Sequence, residues 1–346
     1  DATTYPDGVG ASAVDLLETS SSVVQNLAGG GAGVAVGTID HHPTSPLNSS
    51  GAVSWTITTN NPITMANTGV TPALITISQA SDTTTQITGN TLTINGTAGL
   101  ILQSNLQITN VDARGLITIS PPISGAGNVT VAGPGTTLFS GTNTYTGTTT
   151  INSGTLNAGG EKALGGSSAV TVNTGGTLLF SGATSDRIND NATIALAGGT
   201  LNTGGLSEFT AGTGSQVLPG MGALTLTSPS TIDLGTIASV IAFANSNGTW
   251  TGTLKILNWT GSLSGNGTDQ IYFGTDTSGL TSTQLSQISF YSDATGTNFL
   301  GFGSWAPDND GEVVPLQPIP EPATWVGGAL ALGAIAFASR KRFRRA

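Results

Sequence analysis

Most of the chain alternates apolar and small polar residues over short stretches, each closed by Gly, Asn, Ser or Thr. Residues 91–94, 100–102, 106–108, 116–119, 129–131 and 136–139 all read this way. A period of two places successive side chains on opposite faces, so each stretch predicts a short β-strand with one buried face. The strongest regularity is Gly-Thr-Leu beginning at Gly154, Gly176 and Gly199, at intervals of 22 and 23 residues. Two of these copies sit in longer matching phrases, 170–178 and 193–201, each a strand, a glycine turn and a second strand. A unit this short cannot bury its apolar face alone, whereas copies stacked strand on strand, about 4.8 Å apart, make one continuous core. That is the geometry of a parallel β-helix. In it Val170, Val172, Leu178, Phe180, Ile194 and Leu196 point into the bore, while Thr171, Asn173 and Thr177 face water or join ladders along the stack.

The same pattern divides the chain. Residues 1–50 read as an N-terminal cap or irregular segment, 50–235 as the solenoid, and 236–314 as a C-terminal capping module in which Trp250 and Trp259 raise the aromatic content. An end cap is expected because the open end of a solenoid exposes unpaired strand edges. Within this module 280–288 carry the helix predicted ahead of the tail, with Thr281 as its cap and Gln284 as the capping-box partner. Residues 315–322 are a Pro-rich linker containing Pro320, Glu321 and Pro322. Residues 323–339 are almost wholly apolar, and Arg340, Lys341, Arg342, Arg344 and Arg345 follow. Seventeen helical residues span about 26 Å, near the thickness of a hydrocarbon core, and basic residues on one flank hold that flank in the cytoplasm. Residues 323–346 are therefore expected to be a single transmembrane helix with a basic anchor.

Composition agrees with an all-β fold. Glycine supplies 50 of 346 residues, and charged residues only 8%, against about 25% in ordinary domains. The residues that fill exposed helix faces are scarce, and Val, Thr, Ser and Asn abound. The absence of Cys excludes disulfides, thiolate metal sites and a cysteine nucleophile. The net charge of −10 conceals a separation: five of the nine cations lie in the last seven residues, so 1–339 hold four cations against 19 acids and carry −15. A body of that charge lacks the basic footprint that nucleic acid requires.

Candidate chemistry is sparse. His41 and His42 are the only histidines, and beside Pro43 they read as loop residues without a ligand cluster. The run 308–312, Asp-Asn-Asp-Gly-Glu, offers oxygens for calcium but lacks the EF-hand spacing, so a hairpin loop is the better reading. The Gly-rich run 29–33 is followed by no Lys and sits in no βαβ unit, which makes it a turn and not a phosphate loop. Asp186, Arg187 and Asp190 read as an exposed salt bridge in a loop between coils. No catalytic cluster, cofactor site or metal site is expected.

Two resemblances add to this reading. Pro320-Glu321-Pro322, the apolar stretch and the basic cluster resemble the PEP-CTERM sorting signal of Gram-negative bacteria. That resemblance implies an exported protein held transiently in the inner membrane, recognised by an exosortase-type membrane enzyme, and passed to the cell surface or extracellular matrix. Ser140, Gly141, Asn143, Tyr145, Gly147, Gly154, Thr155 and Leu156 resemble the autotransporter-associated β-strand repeat, which implies a right-handed β-helix passenger. The aromatic-rich segment after 236 is similar to the end module of PEP-CTERM proteins bearing such repeats. Together they imply a non-enzymatic structural or adhesive surface protein; the alternatives are a self-assembling filament subunit and a polysaccharide-binding or polysaccharide-processing β-helix.

Overall fold

The computed structural model describes residues 34–41, 54–59, 61–67, 70–78, 89–184, 186–211 and 217–316, together with the strands Ser12–Asp15 and Val23–Asn26. Three parallel sheets run side by side along the stack. A nine-stranded sheet begins with Ser12–Asp15 and Thr38–His41 and ends with Leu224–Ser228. A thirteen-stranded sheet extends from Val23–Asn26 to Val313–Pro315, and a four-stranded sheet joins Val34–Val36, Ile63–Met65, Leu100–Leu102 and Ile123–Gly125. From Val34 to Phe139 the chain visits the four-, nine- and thirteen-stranded sheets in turn. All-β, with parallel sheets stacked coil upon coil, the architecture is compatible with a β-helix.

The repeat interval in the sequence is the register of the sheet. Gly154 pairs with Gly176, Leu156 with Leu178 and Leu178 with Leu201, each one coil apart. Strands fall where alternation predicts them, for example Thr91–Gly96, Leu106–Asn110 and Val129–Ala132. The six side chains expected in the bore, Val170, Val172, Leu178, Phe180, Ile194 and Leu196, are all buried. Outward positions of the long sheet form columns in register. Thr136, Thr155, Thr177, Thr200 and Thr231 follow one another on successive strands. Asn173 donates through Nδ2 to Asn152 Oδ1 (2.8 Å) on the neighbouring coil, one rung of a polar ladder.

Towards the C-terminal end the parallel order gives way. Ile288–Tyr291 still pairs parallel with Leu254–Leu257, but Phe299–Trp305 pairs antiparallel with both Ile288–Tyr291 and Val313–Pro315. The short helix Ser282–Gln287 lies just before them, with Thr281 as N-cap and Gln284 closing a capping box, as the sequence predicts. Residues 308–312 form the turn between the last two strands, which is the hairpin reading.

The expected C-terminal transmembrane helix is corrected. Among the described residues no helix is long and apolar enough to cross a membrane. Six residues rise only about 9 Å, against a hydrocarbon core of about 30 Å. Residues 323–346, on which that helix was placed, lie outside the described residues, as do Pro320, Glu321, Pro322, Arg340, Lys341, Arg342, Arg344, Arg345, His42 and 29–33.

Candidate functional site

The segment Ser140 to Gly147 crosses the third side of the solenoid at a level where no strand is formed. A coil without a strand leaves backbone groups of its neighbours without rungs, and buried unpaired groups are costly. Asn143, itself buried, supplies both missing partners. Its Oδ1 accepts from the Ile123 N–H (2.7 Å) on the coil before, and its Nδ2 donates to the Ala163 carbonyl (2.7 Å) on the coil after. Tyr145 fills the bore beside it, its hydroxyl 2.7 Å from Thr149 Oγ1, which in turn lies 2.8 Å from Ser167 Oγ. Burial pushes the Tyr145 hydroxyl well above the ordinary tyrosine range, so it stays neutral. Gly147 is required by proximity: a Cβ there would stand 2.3 Å from the Gly127 carbonyl oxygen. Gly154 opens the strand Gly154–Ala158 at φ +70°, a conformation that L side chains rarely adopt.

The same device recurs with carboxylates. Asp112 Oδ2 accepts from the Asn90 N–H (2.7 Å), and Asp269 Oδ1 from the Ser239 N–H (3.0 Å). Glu208 Oε1 takes the N–H groups of both Arg187 and Ile188 at 2.9 Å. Arg187 is the correction to the surface reading: it is fully buried, its Nη1 3.5 Å from Glu208 Oε2, and its guanidinium bonds the carbonyls of Ser181, Gly182 and Ser207. The ring of Phe180 lies 5.4 Å beneath it. Burial lowers the Arg187 pKa and raises that of Glu208, which the backbone donors and Arg187 partly offset. The exposed ion pair of this loop is instead Lys162 with Asp186, at 2.7 Å. Sequence reasoning missed Glu208, although it stands 21 residues, one coil, beyond Arg187.

At the C-terminal end Glu312 is buried, and its Oε2 accepts from the Asn266 N–H (2.7 Å). Its Oε1 has no hydrogen-bond partner. Burial, reinforced by Asp310 and Asp308, raises its carboxyl to about 7. His41 is not a loop residue: it closes the strand Thr38–His41, buried, its ring 6.1 Å from that of Trp55. Among the described residues no group of three or more histidine, cysteine or acidic side chains is placed to hold a metal ion. Asn143, Glu208, Asp112 and Asp269 are each committed to a backbone rung; their chemistry holds coils together.

Residues 129–158 match the family of the passenger-associated-transport-repeat. This segment contains Asn143, Tyr145, Gly147 and Gly154, the residues that the geometry shows tying three coils together. The match supports an autotransporter-like β-helix repeat and, with it, a passenger-type exported protein of the cell surface or exterior. No curated protein and no solved structure matches the chain.

Proposed function

We propose that the chain is a non-enzymatic scaffold of the bacterial surface or extracellular matrix, structural or adhesive in role, sorted through its C-terminal tail. The observation that carries this reading is the passenger repeat at 129–158 set in a parallel stack in which buried Asn143, Asp112, Glu208 and Asp269 serve the backbone. A stack of this kind presents long, regular outer faces at little cost in core volume, which suits display and contact over an extended surface. The tail supports the route: Pro320-Glu321-Pro322 and the Arg340 to Arg345 cluster resemble a signal read by an exosortase-type enzyme. Their charge is segregated from a body of −15, so the two parts meet different surroundings.

Deleting residues 320–346 tests the route. In a cell that carries the sorting machinery, the truncated protein is expected to leave the fraction that holds the full chain, as read by fractionation and immunoblot. An unchanged distribution would refute sorting through the tail.

A further inference from the structure

The outward face of the long sheet changes character beyond the threonine column. After Thr231 the same column continues as Lys255, Ser289 and Phe302, and in the adjacent column Tyr291 lies opposite Phe299. Phe299 and Phe302 are 49% and 53% exposed. Their ring centroids are 5.2 Å apart, and Tyr291 stands 5.6 Å from Phe299. The Lys255 ammonium sits 6.0 Å from the Tyr291 ring, and Lys255, Thr231 and Thr253 help to line a cleft of about 160 Å³ beside it. Scattered exposed apolar residues are ordinary, but a contiguous shelf of aromatic rings marks a contact site.

The surroundings of the shelf identify the partner. It joins a lane of hydroxyls on one side and the exposed Leu316, whose N–H bonds the Phe302 carbonyl, on the other, so the occupant must offer apolar faces and many hydrogen-bonding groups together. Sugar rings do this: their C–H faces lie on aromatic rings, and their hydroxyls meet Thr, Ser and Lys. Charge narrows the class. The body at −15 repels polyanions, and Asp233, the acid on this lane, is already bonded by Asn258 Nδ2 (2.6 Å) and the Gly235 N–H (3.0 Å). Lys255 leaves one positive charge on the lane, held 6.0 Å from the Tyr291 ring, and against the overall −15 an uncharged chain is the occupant that meets no net repulsion. We propose that the cleft at Thr231, Thr253 and Lys255, with the shelf of Tyr291, Phe299 and Phe302, binds a neutral polysaccharide running along the threonine column. This rests on the extracellular reading above and names its partner.

Affinity electrophoresis of the purified full chain tests it, in gels containing a soluble neutral β-glucan, a neutral α-glucan or polygalacturonate. A neutral glucan is expected to retard the wild-type chain. The double variant Phe299→Ala/Phe302→Ala is expected to lose affinity about tenfold or more. Ile237→Ala, which removes an exposed apolar side chain away from the shelf, controls for general stickiness and should leave retardation intact. Thermal melting reports whether the double variant keeps its fold, and Tyr291→Ser provides a second reading of the shelf. Retardation by polygalacturonate alone, by no polysaccharide, or equally in wild type and shelf variants would overturn the proposal. Binding in a gel is independent of delivery in the cell, so its failure and that of the tail experiment are separable.

Discussion

A single buried carboxyl makes the stability of the C-terminal end depend on pH. Glu312 has one oxygen on the Asn266 N–H and the other without a partner, and burial raises its carboxyl from about 4.5 to about 7. Between those values the folded chain keeps a proton that the unfolded chain has released, so stability falls as pH rises through that window. The thermal midpoint should therefore be higher at pH 5 than at pH 8; Glu208, which burial also raises to about 7, adds to that difference, so Glu312→Gln, neutral at both, should reduce it without abolishing it. An undiminished difference in the variant would place the dependence elsewhere. Asp293 acts in the opposite sense: the Thr295 hydroxyl and the N–H groups of residues 295, 297 and 298 hold its carboxyl below the usual range, a contribution lost only in stronger acid. The donors of Asp293 lie two to five residues on, whereas the role of Glu312 is not written in the local sequence, because 308–312 reads as an acidic turn until Asn266, 46 residues earlier, is placed against it.

At the scale of the element, a coil consists of two or three short strands and the polar side chains that stand in where a strand is missing. Asn143 is the clearest case. Replacing it with Ala strips the Ile123 N–H and the Ala163 carbonyl of their partners, and each buried orphan costs about 1–3 kcal/mol. Chemical denaturation should show a loss of about 2–6 kcal/mol; a loss below about 1 kcal/mol would mean that the backbone closes this gap without the amide. The strands themselves were legible, since the alternation in Val170, Thr171 and Val172 needs only a two-residue period and one wet face. The rungs were not. Asn143 and Glu208 look like any polar loop residues, and only the coil interval, 20 or 21 residues to Ile123 and Arg187, hints at their partners.

For the whole molecule, stability should accumulate coil by coil, with each coil contacting its neighbours. Because Gly154 pairs with Gly176, removing residues 154–175 excises one coil and brings Gly176 to the position of Gly154. The shortened chain is expected to fold, with a lower thermal midpoint and an unchanged β signature in circular dichroism. Removing 154–174 instead slips the following strand by one residue, which turns Leu178 and Phe180 out of the bore, and that chain should fail to fold. Equal behaviour of the two deletions would contradict the stacked register. By itself the sequence determined the all-β class, the coil interval, the inward set and the helix cap at Thr281, because these follow from contacts between near neighbours or from a phrase repeated at 22 and 23 residues. Only the tertiary structure decided that Arg187 is buried against Glu208, that His41 lies on a strand, and that Tyr291, Phe299 and Phe302 continue the threonine column as one face. Those arrangements depend on which residues meet across coils of unequal length, and the insertions that set those lengths carry no periodic signal.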